Sequence, residues 1–201
     1  MPFKTPPSVF ESPVYLLAAD GWLSGASRCP SPNYNLRPNS AEISLLVVHN
    51  ISLPPAQFGG GWVERFFCNQ LPPEQHPYFA EISVLQVSSH FFIDREGEVT
   101  QFVATDARAW HAGASLFEQR DNCNDFSLGI ELEGTDIEAY SEAQYVSLVA
   151  LSVCLMLRYP EITLERIVGH CDIAPGRKTD PGEAFDWQRY RTALTLALSA
   201  C

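Results

Sequence analysis

Basic residues, long apolar runs and paired cysteines are all scarce in this chain. Thirteen Lys and Arg residues stand against 24 Asp and Glu residues, so the formal net charge is −11 over 201 residues. A protein that binds nucleic acid or an anionic membrane presents a basic face, and this deficit argues against both partners. No apolar run approaches the roughly 20 residues that span a bilayer. We therefore expect a soluble protein that binds neither nucleic acid nor membranes.

The cysteines form no CxxC pair and follow no regular spacing; they stand at positions 29, 68, 123, 154, 171 and 201. The N-terminus carries one lysine and a short apolar run, Val14 to Ala19, which is shorter than the core of a secretory signal. Disulfides are rare in the cytoplasm, where thiols are kept reduced. We expect free thiols throughout and a cytoplasmic protein.

The length and the apolar content of 46% suit one globular domain with a sizeable core. The first 20 residues hold four prolines and no sustained periodicity. This composition predicts an extended N-terminal arm over residues 1–20. Residues 21–201 are then the folded domain.

Apolar patterns indicate the secondary structure. Strands are predicted at 44–50, within 79–102 around a hairpin turn at 94–97, and at 126–132. Helices are predicted at 62–67, from Ser141 to Pro160, and at 187–198. The second helix begins with a capping box, and one face carries the apolar residues 146, 149, 150, 153, 154 and 157.

The stretch from Gly169 to Pro181 is dense in polar and rigid residues and reads Gly-His-Cys-Asp-Ile-Ala-Pro-Gly-Arg-Lys-Thr-Asp-Pro. Such a composition predicts an ordered loop rather than a helix or strand. A short β-prone run precedes it, so His170 is expected where a strand leaves the sheet. The gap to Asp180 can bring an imidazole and a carboxylate to one point, as a metal site requires. A surface loop with solvated charges is the alternative.

Histidines elsewhere offer further ligands. The buried strand at 44–50 runs into His49, which is expected at the edge of the sheet where sites form. Taken alone, His49 would be interpreted as a capped core residue, but together with His170 and Asp180 it completes a ligand set. His90 has apolar neighbours and is expected in the core. His111 ranks below the first two histidines as a ligand.

Three further features invite a functional interpretation. Glu131 stands between two apolar residues of a buried strand, where a carboxylate is costly unless it is paired or used in chemistry. Trp110, in the turn Trp-His-Ala-Gly, either offers an apolar face to a ligand or packs in the core. Residues 52–77 contain several prolines and three consecutive glycines. They form either a lid or binding wall beside His49 or an inert insertion.

Four runs of the sequence are distinctive in combination: Ser-Leu-Leu-Val-Val-His-Asn-Ile-Ser-Leu-Pro-Pro (44–55), Ala-Trp-His-Ala-Gly (109–113), Cys-Asn-Asp-Phe-Ser-Leu-Gly-Ile-Glu-Leu-Glu-Gly-Thr-Asp (123–136) and Gly-His-Cys-Asp-Ile-Ala-Pro-Gly-Arg-Lys-Thr-Asp-Pro-Gly (169–182). Together they resemble the zinc-dependent N-acetylmuramoyl-L-alanine amidases of the type 2 family. The resemblance covers nearly everything from Gly21 to Tyr190 and leaves both ends of the chain unmatched. Many relatives have cysteine where Asp180 stands, and the aspartate points to the cytoplasmic branch that acts on 1,6-anhydromuropeptides.

The resemblance implies a fold and a metal site. The fold is of the α/β (α+β) class, a single domain with a mixed central β-sheet flanked by helices, and this agrees with the pattern of strands and helices. His49, His170 and Asp180 would hold Zn²⁺. The zinc would activate a water for attack on the lactyl carbonyl that joins muramic acid to L-alanine.

The resemblance also implies roles for other side chains. Glu131 would take the proton of the water and pass it to the leaving amine, and Lys178 would donate to the developing oxyanion. Asn50, Trp110 and Arg177 would contact the substrate. The expected partner is an anhydromuropeptide in cell-wall recycling, with an influence on β-lactamase induction. The oligomeric state is left open, with a monomer favoured.

Two other classes of function compete with this prediction. A non-catalytic muropeptide-binding protein would keep the groove but lose a metal ligand, whereas all three candidates are present. A cysteine hydrolase could use Cys171 beside His170. Neighbouring residues of an extended segment point apart, however, and Asp180 would then have no role.

Overall fold

The computed structural model describes residues 13–38 and 42–200. Within these ranges the strands are β1 (Leu16–Leu17), β2 (Leu23–Ser24), β3 (Ser27–Arg28), β4 (Tyr34–Leu36), β5 (Leu45–Ile51), β6 (Phe91–Ile93), β7 (Val99–Gln101), β8 (Ala107–Ala109), β9 (Leu116–Phe117), β10 (Arg120–Asp121), β11 (Ser127–Glu133) and β12 (Ile167–Gly169). The α-helices are α1 (Trp62–Phe67), α2 (Pro77–Ile82), α3 (Glu142–Arg158), α4 (His170–Ile173) and α5 (Trp187–Ser199).

A six-stranded mixed sheet forms the centre of the fold, in the order β12-β5-β11-β6-β7-β3. The first four of these strands run parallel, β7 is antiparallel to β6, and β3 is parallel to β7. Every residue of β11 is buried, and so are the first five of β5. Burial on both faces is what the unbroken apolar runs of these strands predict. The mixed sheet flanked by helices confirms the expected fold class.

Two long helices cover one face of this sheet. Ser141 caps α3 in the predicted capping box with Gln144, and the side chain of Asp186 accepts a hydrogen bond from the first turn of α5. The largest apolar cluster lies between these helices and the even-numbered residues of β5 and β11; it includes Leu46, Val48, Leu128, Ile130, Leu132, Leu148, Leu151, Leu155, Tyr190 and Leu194. This cluster makes α3 and α5 the scaffold of the domain.

The opposite face of the sheet carries two smaller apolar clusters with polar side chains between them. One cluster gathers around Leu45 and Val47 of β5 and includes Phe126 and Ile173. The other holds the helices α1 and α2 against β6 and the segment after β7. This face is therefore only partly apolar, and the buried histidines lie on it.

The structure corrects three details of the sequence prediction. Residues 79–93, before the hairpin turn, were expected in a strand. The helix α2 includes the first of them, and only residues 91–93 belong to the sheet. The stretch from Gly169 contains the one-turn helix α4, which the prediction of a pure loop missed. Apolar residues occur on more than one side of α3, so periodicity pointed to the face with residues 146, 149, 150, 153, 154 and 157. The most deeply buried side chains instead include Leu148, Leu151 and Leu155, and Leu157 is exposed.

The structure describes the second part of the predicted N-terminal arm. Leu16 and Leu17 pair with Ser24 and Leu23 in an antiparallel hairpin, and Tyr15 is buried in the main core cluster. Residues 15–17 therefore pack on the domain. Residues 1–12 lie outside the part that the structure describes. Among the described residues, none of the helices combines the length and apolar character needed to cross a bilayer.

Candidate metal centre and active site

The site lies at the edge of the sheet where β12, β5 and β11 end. His49 is near the end of β5, its register partner on β11 is Glu131, and His170 follows the last residue of β12. Because these adjacent strands run parallel, their carboxyl ends meet at the same edge. Cys171 donates its backbone N–H to the carbonyl of Asp180, which closes the loop and returns the carboxylate to this edge.

Three side chains converge on one point. Nδ1 of His49 lies 3.0 Å from Nδ1 of His170 and 3.1 Å from Oδ2 of Asp180, and Nδ1 of His170 lies 3.0 Å from the same oxygen. Tetrahedral zinc with ligand bonds of about 2.0–2.1 Å separates its ligand atoms by about 3.3 Å. The three atoms therefore form a group that could hold a metal ion, as was predicted from their spacing.

The hydrogen bond from Nε2 of His170 indicates the tautomer of this ring. Its Nε2 lies 3.1 Å from the carbonyl oxygen of Ala112. A carbonyl only accepts, so Nε2 carries the proton and Nδ1 of the neutral ring presents a lone pair. That lone pair, Nδ1 of His49 and the carboxylate of Asp180 meet at about 3 Å and would repel one another without a cation between them. The donor set fits a divalent ion such as zinc.

The electrostatics of these residues agree with metal binding. Burial lowers the pKa of His49 to about 4, against the opposing effect of the nearby Asp180 carboxylate, so the imidazole is neutral at pH 7. Burial alone would raise the pKa of Asp180, but the adjacent imidazoles of His170 and His49 outweigh it and hold the pKa below its usual value. A neutral imidazole and an ionised carboxylate are the forms that bind a metal.

Glu131 differs from the three ligands because one of its oxygens has no partner. Among the described residues, Oε2 of Glu131 is a buried side-chain atom without a hydrogen bond. Burial raises the pKa of this carboxyl well above 4.5, the charge of Asp180 raises it further, and the charge of Lys178 opposes both. A buried, unpartnered carboxyl beside a metal-capable group is a candidate proton carrier.

A cavity of about 380 Å³ connects these groups to solvent. Its polar end holds Glu131, His170, Lys178 and Asp180. Its other walls come from the strand end at 50–53, from α1 and α2, and from the following turn; they include Leu53, Phe66, Phe67, Tyr78, Ile82, Leu85, Val87 and Trp110. Part of the segment 52–77 thus forms a wall of this cavity.

The comparisons with known proteins agree with this chemistry. The sequence matches the model of the N-acetylmuramoyl-L-alanine amidase family over residues 39–183. The chain belongs to this family. The 1,6-anhydro-N-acetylmuramyl-L-alanine amidase AmpD of Escherichia coli (strain K12) is 54% identical over 180 residues, which are 90% of this chain and 98% of that protein.

Solved structures lead to the same family. A crystal structure of a Se-Met AmpD derivative is 54% identical, covers 89% of this chain and 99% of its own, and superposes with a TM-score of 0.86. The complex of AmpDh3 from Pseudomonas aeruginosa with an anhydromuramic pentapeptide is 28% identical, with coverage of 78% and 61% and a TM-score of 0.58. The chain is accordingly a hydrolase of the amidase type.

The three side chains expected to contact substrate all lie at the cavity or on a groove beside it, and each already makes hydrogen bonds within the protein. Asn50 lines it, and its amide donates to Asp136 Oδ1 and the carbonyl of Pro181. Trp110 lines it too, and its indole N–H donates to Asn35. Arg177 lies on an adjoining groove, where its Nη2 already donates to the carbonyls of residues 112 and 114.

His111 and Asn124 have roles in the amidase site that the sequence did not reveal. Nδ1 of His111 lies 2.9 Å from Nε2 of His49, on the side away from the metal-capable group, so His111 is not a ligand of it. Asn124 accepts hydrogen bonds from the backbone N–H groups of His111 and Ala112. Both residues belong to the recognised runs, but residue type alone gave no sign of these contacts.

His90 is a buried core residue that contacts Arg37, as expected.

Proposed function

We propose that this amidase is zinc-dependent and hydrolyses the bond between 1,6-anhydro-N-acetylmuramic acid and L-alanine in soluble muropeptides. One observation carries the mechanism: Glu131, whose Oε2 has no hydrogen-bond partner among the described residues, lines a cavity that also holds a metal-capable group and a lysine. The relatives that are 54% identical are named for activity on the same anhydro substrate, which supports the choice of sugar.

His49, His170 and Asp180 would hold the zinc. The ion, when bound, supplies Lewis acidity and lowers the pKa of a water at its open position toward neutrality. An imidazole that binds a metal is neutral, so two imidazoles and one carboxylate would leave a divalent ion with a net positive charge. That charge favours attack on a carbonyl that gains negative charge in the transition state.

Glu131 would move the proton. Its raised pKa brings the carboxyl nearer to neutral pH, where one group can both accept and donate a proton. It would take the proton of the attacking water and deliver it to the nitrogen of L-alanine as the amide bond breaks.

Lys178 would stabilise the oxyanion. The side chain lines the cavity with Glu131, and its charge acts on the pKa of both Glu131 and His49. An ammonium in this cavity can donate to the oxygen of the former carbonyl, whose charge develops only in the transition state.

Asn50, Trp110 and Arg177 remain the proposed substrate contacts. The indole of Trp110 suits the apolar face of a sugar ring, and the adjoining groove carries the charges of Arg177 and Lys178 for the carboxylates of a stem peptide. The general acidity of the chain makes such local cations necessary for an anionic substrate. We expect a monomer, and size-exclusion chromatography with light scattering tests this.

The competing cysteine hydrolase finds no support. Burial raises the pKa of the Cys171 thiol, and the charges of Asp172 and Asp180 raise it further, so the thiolate that a nucleophile needs is disfavoured. Residue 171 follows His170 within one helical turn, not in the extended segment that was expected, yet neighbouring side chains diverge there as well.

The test uses the purified full chain. We expect one zinc per chain by elemental analysis and release of the stem peptide from anhydromuropeptide much faster than from polymeric sacculi. Equal turnover of sacculi would contradict the proposed substrate. Binding of the muropeptide without cleavage by the zinc-loaded protein would favour the non-catalytic alternative. Fractionation of the native cells tests the predicted cytoplasmic location.

A further inference from the structure

A chain of hydrogen bonds leaves His49 on the side away from the metal-capable group. Nε2 of His49 lies 2.9 Å from Nδ1 of His111, Nε2 of His111 lies 3.1 Å from Oγ of Ser127, and that hydroxyl donates to the carbonyl of Cys123 at 2.6 Å. The last acceptor is a carbonyl, so the hydroxyl proton of Ser127 is committed and its oxygen is the acceptor for His111. His111 then carries its proton on Nε2 and accepts from His49 through Nδ1.

The backbone next to His111 supports the second histidine in the same way. The carbonyl of Ala112 accepts from Nε2 of His170 at 3.1 Å. The N–H groups of His111 and Ala112 both donate to Oδ1 of Asn124, at 3.0 and 2.8 Å, and the side chain of Arg177 donates to the Ala112 carbonyl. Residues 111 and 112 are therefore held in place independently of the two histidines that they contact.

The ring of His111 packs tightly against strand β11, which constrains its position. A Cβ atom built on Gly129 of β11 would lie 2.6 Å from Cγ and 2.7 Å from Nδ1 of His111, so the imidazole lies directly on the strand backbone. The residue is 9% exposed, and its ring meets the His49 ring edge-on, with centroids 5.0 Å apart. Only a glycine at position 129 permits this contact.

We propose that His111 and Ala112 are positioning residues for the metal site: His111 orients His49 through its ring, and Ala112 orients His170 through its carbonyl. Each contact fixes a proton on Nε2, so both imidazoles present the Nδ1 lone pair to the ion. The inference rests on the proposed metal site. It assigns to the Trp-His-Ala-Gly turn a role in metal affinity that is separate from any contact of Trp110 with substrate.

The first test compares zinc affinity among variants of the full chain, by competition with a chromophoric chelator. His111→Leu removes the acceptor and leaves the N–H of His49 buried without a partner. We expect it to weaken zinc binding about 10–100-fold, the range typical of such outer partners. His111→Asn keeps an oxygen near the place of Nδ1, and we expect it to restore affinity to within about fivefold of the native chain.

His90→Leu is the matched control. His90 is a fully buried histidine whose ring lies 5.7 Å from that of His111, but it bonds to Arg37, Ala107 and Gly129 and not to a metal-capable residue. We expect a lower melting temperature and unchanged zinc affinity. Should His111→Leu not fold, Ser127→Ala breaks the next link with a smaller change, and we expect zinc affinity to fall by less than about tenfold.

The second test needs no substitution. Long-range ¹H–¹⁵N NMR spectra of the zinc-loaded native chain should show Nε2–H tautomers for His49, His111 and His170. A protonated Nδ1 on His111 would overturn the inference. Zinc affinity of folded His111→Leu within about threefold of native, or an equal loss in His90→Leu, would also overturn it. Absence of zinc binding by the native chain would instead refute the proposed function.

Discussion

The two faces of strand β11 are equally buried but are built in opposite ways. Leu128, Ile130 and Leu132 point into the apolar cluster under α3 and α5, and each is at most 1% exposed. The alternate residues include Glu131 and Glu133, which are 9% and 3% exposed. Burial of the first set stabilises the fold, whereas burial of a carboxylate costs free energy unless it is paired. Burial alone therefore does not distinguish the scaffold from the site. The hydrogen-bond and packing partners of each side chain make that distinction.

The polar face itself contains a second contrast. Glu133 accepts hydrogen bonds from the backbone N–H groups of Gly59 and Arg95, so its carboxylate ties two segments of the backbone together. Oε2 of Glu131, two residues away on the same face, has no such partner among the described residues. An unpartnered buried oxygen costs about 1–3 kcal/mol. A residue kept at that cost is a candidate for chemistry.

Removal of a metal ligand should have the largest effect on activity and on bound zinc. Alanine at His49, His170 or Asp180 is expected to abolish hydrolysis of anhydromuropeptide and to lower bound zinc to a trace, because two ligands cannot hold a catalytic ion. Zinc content and stem-peptide release are the measurements. His90→Asn, on a buried histidine outside the site, should keep both. Full activity of the chelator-treated, metal-free native chain would refute the mechanism.

Substitution of the two carboxylates of β11 should separate chemistry from structure. Glu131→Gln is expected to keep zinc and to lower kcat about 10²–10⁴-fold, because proton transfer is lost. Its melting temperature should stay equal or rise, since an unpaired buried charge is removed. Glu133→Gln should keep kcat and lose about 1 kcal/mol of stability, since a neutral amide accepts the two hydrogen bonds less strongly.

The result that would contradict this assignment is a reversal between the two variants. If Glu131→Gln keeps more than about a tenth of native kcat, its role in proton transfer is wrong. If its melting temperature falls while kcat is retained, Glu131 is a paired core carboxylate.

Lys178→Met should give the next largest loss. We expect zinc to be retained and kcat to fall on the order of 10²–10³-fold, the typical value of one oxyanion donor. Lys178→Arg keeps the charge at a different geometry and should recover part of the rate. Retention of most of native kcat by the methionine variant would show that Lys178 is a solvated loop charge.

The polar face should also make the fold sensitive to acid. Burial lowers the pKa of His90 well below 6.5, and the charge of Arg37 lowers it further. The unfolded chain therefore binds more protons than the native one below about pH 6.5, and stability falls as the pH falls. One such histidine contributes up to about 2 kcal/mol of this loss between pH 7 and pH 5.

His90→Asn tests this sensitivity. Asn can still accept from the N–H of Gly129, which now donates to Nδ1 of His90. Urea unfolding of the metal-free chain at pH 7 and pH 5 should show a smaller difference in the variant than in the native chain. An unchanged difference would place the acid sensitivity elsewhere.

The smallest effect is expected on the apolar face. Ile130→Val removes one methylene from a fully buried side chain next to Glu131 in sequence but on the opposite face. Its cost should be about 0.5–1.5 kcal/mol of stability, with kcat and zinc content unchanged. A kcat loss larger than about twofold would show that the two faces are mechanically coupled.

Local signals accounted for much of the fold. The capping box at Ser141, the unbroken apolar run before His49 and the helix at 62–67 were predictable because each depends on near neighbours in the chain. The two wrong predictions of secondary structure and of a buried face share one physical cause. Residues 79–90 and the buried face of α3 are apolar in more than one direction, so periodicity could not choose between helix and strand or between faces.

Residue types already indicated which side chains can do chemistry: two histidines and an aspartate with ligand character, and a glutamate in an apolar strand. The apolar run before His49 likewise predicted the buried strand that carries this histidine. Three features depend on the packed fold instead: His111 lies behind His49, Ala112 contacts His170, and Oε2 of Glu131 has no hydrogen bond among the described residues whereas Glu133 is bonded. Ligand character belongs to a residue type, but tautomer, burial and pairing depend on neighbours that are distant in the chain and meet only when the sheet and its loops have packed.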